Sequence, residues 1–116
     1  MIKLTNDARA AAGCPALRAN AKLAKAALLH SQDMAAKEYF EHNSLDGRTP
    51  WDRIEAQGYI GIAYGENIAW GYTSAADVVA AWMDSPGHRA NILDCEFRDI
   101  GIGIAQTYWT QDFGGK

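Results

Sequence analysis

Residues 99–106, DIGIGIAQ, set Ile100, Ile102 and Ile104 on one side of an extended chain and Gly101 and Gly103 on the other. This period of two marks a strand with two unlike faces, and a strand requires partners. YWTQDFG follows at once and predicts a final strand, while YIGIAYGENIAWG, residues 59–71, reads as a further extended segment rich in aromatic and branched residues. The join between the last two strands, IAQTYW, is unusually short and has no glycine or asparagine to turn it.

Helical signals surround these strands. A short helix is expected from Ile2 to Ala12, ending at Gly13, the usual left-handed C-terminal position. From Asn20, a good N-cap, the residues Leu23, Ala26, Ala27, Met34 and Ala35 recur at helical spacing and carry a long helix toward Tyr39 and Phe40. Its alanine-rich face suits close packing. Asp46 and Gly47 make a turn, after which Thr49, Pro50 and Asp52 supply an N-cap, a first-turn proline and an acidic third position for a two-turn helix through Ile54 that ends by Gly58. Ser74 with Asp77 resembles a capping box opening a helix on Val78, Val79 and Trp82, and a corner at Ser85 and Pro86 leads to a short helix ending at Leu93. The fold class read from this order is α+β, with helices flanking a small, mostly antiparallel sheet.

At 116 residues and 48% hydrophobic composition the chain makes one domain, residues 1–116, able to bury a core without a metal to hold it up. There is no internal repeat, low-complexity tract or linker. A net charge of -3, with acids and bases interspersed, supplies no basic stripe, so nucleic acid and anionic membranes are poor partners. No apolar run approaches the roughly 18 residues of a transmembrane segment. The opening MIKLTNDARA lacks the apolar core of a signal peptide, so a secreted form is expected to have lost its leader.

The polar residues need sorting. His30 falls in the apolar stripe of the long helix and reads as a hydrogen-bonded core histidine. His42, just past that helix, reads on its own as a C-terminal cap, where a cationic ring suits the dipole. In WMDSPGHRANIL, Ser85 would cap the last helix and Pro86 would take its first position, which leaves His88 in the first turn at the positive end of the dipole. A neutral imidazole that binds something fits there better than a charged one. Glu66 lies inside an otherwise apolar strand, where a carboxylate must be paired, hydrogen-bonded or protonated. On these residues alone, Glu66 reads equally as a structural anchor and as a functional group. Two imidazoles and a carboxylate suit a divalent metal such as zinc, with water completing the shell, or general acid and base work. Cys14 and Cys95 belong to no CxxC pair and are either a disulfide or two buried thiols. If bonded, they close a loop of about 80 residues, worth roughly 4.5 kcal/mol on the chain-entropy account.

YFEHNSLDGRTPWDRIEAQGY, GENIAWG, WMDSPGHRANIL and YWTQDFG, in this order and at these separations, resemble the CAP superfamily of cysteine-rich secretory, antigen 5 and pathogenesis-related 1 proteins. The short SPGHRANIL form is similar to the bacterial SCP-like members. The resemblance covers the chain from about Leu4 to Gly114. It implies a three-layer α-β-α sandwich, secretion, a Cys14–Cys95 disulfide, and a cleft lined by two histidines and two acids. Carried over by motif, the cleft residues are His42, Glu66 and His88. The second acid departs from the pattern: the family's glutamate falls on Ser85, and Asp84 comes one residue earlier. A one-residue shift turns a helical side chain by about 100°, so Asp84 is expected to miss the cleft and leave a triad. The longer loop that follows this helix in eukaryotic members is absent.

The resemblance does not fix an activity. The expected function is a secreted binding module whose cleft takes zinc or another divalent cation on His42 and His88, together with a small or lipid-like ligand or an extracellular protein, with no organic cofactor and as a monomer. The alternative is a metal-dependent, protease-like hydrolase with Glu66 as base toward a held water. Against it stands the lack of a serine or cysteine nucleophile with a placed base, since Ser85 reads as spent on a helix cap.

Overall fold

The computed structural model describes residues 1–116. In chain order the elements are α1 (Ile2–Ala11), β1 (Arg18–Ala19), α2 (Ala21–Lys37), α3 (Pro50–Ala56), β2 (Ala63–Trp70), α4 (Ala75–Met83), α5 (Pro86–Ile92), β3 (Asp99–Ala105) and β4 (Tyr108–Gly115). The four strands form one sheet in the order β1-β3-β4-β2. β3 and β2 flank β4 antiparallel, and the two-residue β1 joins β3 in parallel. α2 covers one face, with α3 beside it, and α1, α4 and α5 cover the other. This is the α+β, α-β-α sandwich expected.

The local signals explain most boundaries. The Asn20 side chain accepts from the backbone N–H of Lys22 and Leu23, Thr49 and Asp52 complete a capping box, and Ser74 accepts from the Asp77 N–H. Gly13, at φ +84°, closes the turn after α1. Two boundaries differ. The long helix stops at Lys37 because Glu38 adopts a left-handed conformation, φ 53°, so Tyr39 and Phe40 lie outside it. The short β3–β4 join is a two-residue loop in which Gln106 takes φ 54° in place of the missing glycine.

The glycine face of β3 meets α2. A methyl at Gly101 would lie 2.0 Å from the Ala24 backbone nitrogen, and one at Gly103 2.1 Å from that of Leu28, so only glycine lets the helix pack this close. On the other face Ile100 joins Leu17, Val78, Trp82, Ile92, Phe97, Trp109 and Phe113 in the main core. The Cys14–Cys95 disulfide, with Cα atoms 5.0 Å apart, ties the segment after α1 to the loop after α5. Beside it the buried Arg9 guanidinium donates to the carbonyls of Pro15, Ile92, Asp94 and Phe97 at 2.8–3.0 Å, a clamp that helical periodicity gave no reason to expect.

Candidate functional site

β2 is an edge strand, and the residues of interest gather along it. Its carbonyls are taken up by side chains from the α4–α5 layer: Trp82 Nε1 donates to Ile68 O at 3.1 Å and Asn91 Nδ2 to Glu66 O at 3.1 Å. These bonds cover backbone that would otherwise invite another strand. They also fix where α5 sits, as does Asn67 Nδ2 donating to the carbonyl of His88 at 3.1 Å.

The Glu66 side chain points to the α2 face and is 1% exposed. Its Oε1 lies 3.0 Å from His42 Nδ1, and its Oε2 accepts from Arg53 Nη2 at 2.8 Å. Arg53, itself buried, also donates to the carbonyl of His42 at 2.7 Å and to Ser44 Oγ at 3.2 Å, so one guanidinium sets both the carboxylate and the loop that carries His42. Burial works to raise the Glu66 carboxyl, but the hydrogen bond with His42 and the charge of Arg53 outweigh it and hold the group below its ordinary range. Opposite Glu66 on β4 stands Asp112, fully buried, whose carboxyl is pushed well upward by burial and by the Glu66 charge.

His42 is therefore not the helix cap that its position suggested, since α2 ends five residues earlier and the ring turns to Glu66. Ser85 occupies the N-cap position of α5 but makes no capping bond. Its Oγ lies 2.8 Å from His88 Nδ1 instead. The His88 ring stacks on Trp82, with centroids 6.3 Å apart. Burial and the charge of His42 both lower its pKa, which favours the neutral imidazole anticipated for that position. His30 is buried in α2 with Nε2 2.8 Å from the Glu41 carbonyl, away from both hollows described next. Asp84 ends α4 as its exposed C-cap and lines neither of those hollows.

Two hollows flank β2. One, of about 410 Å³, is polar and lined by His42, Trp51, Tyr64, Glu66 and Asn91. The other, of about 340 Å³, is mainly apolar and lined by Phe40, Ile68, Trp70, Tyr72 and Trp82, with Ser85 and His88 supplying its polar end. The structure thus brings His42 and Glu66 into contact and places His88 in the adjoining hollow, close enough to feel the charge of His42. No three His, Cys, Asp or Glu side chains stand in an arrangement that could hold a metal ion. The sequence reading missed Arg53, Asn91 and Asp112. A carboxyl at an inward position of YWTQDFG was the signal that could have exposed Asp112.

A sheet sandwiched between helices, an edge-strand glutamate bound to a histidine, and a second histidine on the neighbouring short helix define a CAP-type domain. The chain belongs to this family: the profile for CAP, the cysteine-rich secretory protein family, matches residues 2–113. It is 42% identical over its whole length to YkwD of Bacillus subtilis (strain 168) and 34% identical over 97% of its length to the membrane protein YlbC of the same organism. It spans only 46% and 33% of those two proteins. Among solved structures, an extracellular protein of Bacillus anthracis containing an SCP domain aligns with a TM-score of 0.96 at 33% identity, over 99% of this chain and 39% of that one. An outer surface protein of Borrelia burgdorferi shares the fold, with a TM-score of 0.87 at 22% identity, over 99% of this chain and 89% of that one.

Proposed function

We propose that the chain is a secreted binding domain, with a small, partly apolar ligand in the Trp70–Trp82 hollow and a divalent cation held through the imidazoles of His42 and His88. The observation that carries this reading is the pairing of a mainly apolar hollow, with Ser85 and His88 at one end, with a polar one across the same edge strand. Such hollows, apolar with a few placed polar groups, suit small molecules. The disulfide fits an oxidising compartment, and similar proteins are described as extracellular or outer surface proteins. A cation would rely on the two Nε2 atoms, which make no protein hydrogen bond, with water completing its shell. There it would supply charge and orientation for a ligand.

The hydrolase reading is weaker. Glu66 has both oxygens engaged and is stabilised in its charged form, so it is a poor base. Ser85 is not spent as a cap, and its contact with His88 is the one observation that favours hydrolysis, but no acid orients that ring. Calorimetric titration with zinc tests the proposal. Binding at about pH 7.5 that weakens steeply by about pH 5.5, and that is lost in His42→Ala and His88→Ala, supports it, because protons compete for imidazole ligands. Affinity indifferent to pH and to both variants would remove the cation, and hydrolysis of a simple ester lost in Ser85→Ala would favour the enzyme.

A further inference from the structure

Asp112 has no part in the proposal above, yet it is the most enclosed charged residue beside the cleft. It sits on β4 with Glu66 of β2 on one side and Gly101 of β3 on the other, and the α2 backbone closes over that glycine. Its exposure is 0%, and no N–H or O–H of the protein is within hydrogen-bond distance of either carboxyl oxygen. An ionised carboxylate cannot be buried that way without donors. Arg53 is the nearby counter-charge from α3, and its Nη2 is already bonded to Glu66. The polar side chain directly across the strand pair is Glu66, and two carboxyls bond each other only through a proton that one of them keeps.

We propose that Asp112 is a positioning residue of the cleft, protonated at neutral pH and donating its O–H to the Glu66 carboxylate. The proton stays on Asp112 because Glu66 accepts from the Arg53 guanidinium at 2.8 Å, whereas no donor reaches either oxygen of Asp112. The charged and titratable groups around the pair are Arg53 from α3, His42 from the loop before α3, and His30 from α2 acting on Glu66, while β3 contributes only Gly101. With Glu66 negative, Arg53 positive and Asp112 neutral, the floor beneath His42 carries no net charge. Glu66 is then fixed from three sides. This inference does not depend on what the cleft binds.

Carbon-13 NMR of the side-chain carboxyls, read on the native protein and assigned through bonds from the backbone, tests it. The Asp112 signal should remain that of a protonated acid from about pH 5 to pH 7 while Glu66 is ionised. Titration of Asp112 near its ordinary 3.8, or a proton resident on Glu66, overturns the proposal. Stability against pH gives a second reading. An acid whose pKa is raised by folding contributes stability that is complete below its unfolded value and is lost as pH rises through the folded one. The wild type should therefore lose stability over that window. Asp112→Asn, whose amide can still donate to Glu66, should remove the loss and leave the fold intact. A loss of the same size in the variant overturns the assignment, and if the variant fails to fold, the wild-type NMR titration decides.

Discussion

On the face covered by α2, Gly101 and Gly103 bring the helix backbone against β3, and the space beside them is filled by Glu66, Asp112 and Thr110, with Thr110 Oγ1 2.7 Å from Ser31 Oγ. On the opposite face Ile100, Trp109 and Phe113 fill the same depth with side chains, the polar groups buried against the strands are uncharged, with Asn67 Nδ2 donating to Gln111 Oε1 at 3.1 Å and Gln111 Nε2 to Thr5 Oγ1 at 2.9 Å, and the one buried charge, Arg9 of α1, is met by backbone carbonyls rather than by an acid. The apolar face gains stability roughly in proportion to area removed from water and tolerates small changes of shape. The α2 face depends on close backbone approach and on every charge having its partner, so its failures should be abrupt.

The largest expected effect is Arg53→Met. It leaves Glu66 buried without its cation and should lower stability by about 3–5 kcal/mol in urea unfolding, with most of that loss absent when Glu66→Gln is made first. A loss below about 1 kcal/mol would break the contrast between the faces. Next is Gly101→Ala, whose added methyl has no room against α2 and should cost about 1–3 kcal/mol. Ile100→Val on the other face should cost only about 0.5–1.5 kcal/mol. Equal costs would mean that α2 moves away easily.

Acid supplies a gentler test. Glu66 is held below its ordinary pKa, so its contribution is present above the unfolded value, ordinarily 4.5, and is lost as pH falls through the folded one. Glu66→Gln should flatten that acid limb, and chemical denaturation at stepped pH reads it. The smallest effect should be Ser85→Ala, within about 0.5 kcal/mol, because the hydroxyl caps no backbone donor. Thr49→Ala, which breaks a complete capping box, should cost about 0.5–2 kcal/mol by the same measurement.

Local chemistry was legible in the sequence wherever the cause lies within a few residues. The caps at Asn20, Thr49 and Ser74, the left-handed Gly13 and the two-residue period of DIGIGIAQ each act on neighbouring backbone, and the helices and strands follow from them. The ordered motifs added the family, and with it the sandwich and the disulfide. Ser85 misled because a capping serine and a serine bonded to the residue three positions on look alike in sequence, and the choice of Oγ partner depends on where the His88 ring is held by Trp82. His42 misled for the same reason, its partner lying 24 residues away on another element.

What the sequence alone determined is therefore the five helices and the three longer strands, their order, and which faces are apolar, since propensity, capping and periodicity are short-range; the two-residue β1 exists only through its pairing with β3. Only the tertiary structure decided that Arg53 would lie under His42, that Asn91 and Trp82 would cover the edge of β2, and that Asp112 would face Glu66 in register. Each of these pairings joins residues 11 to 46 positions apart, as in Arg53 with His42 and Asp112 with Glu66. The strength of a charge or hydrogen bond there depends on burial and on the partner's position, and both exist only once the sheet has formed.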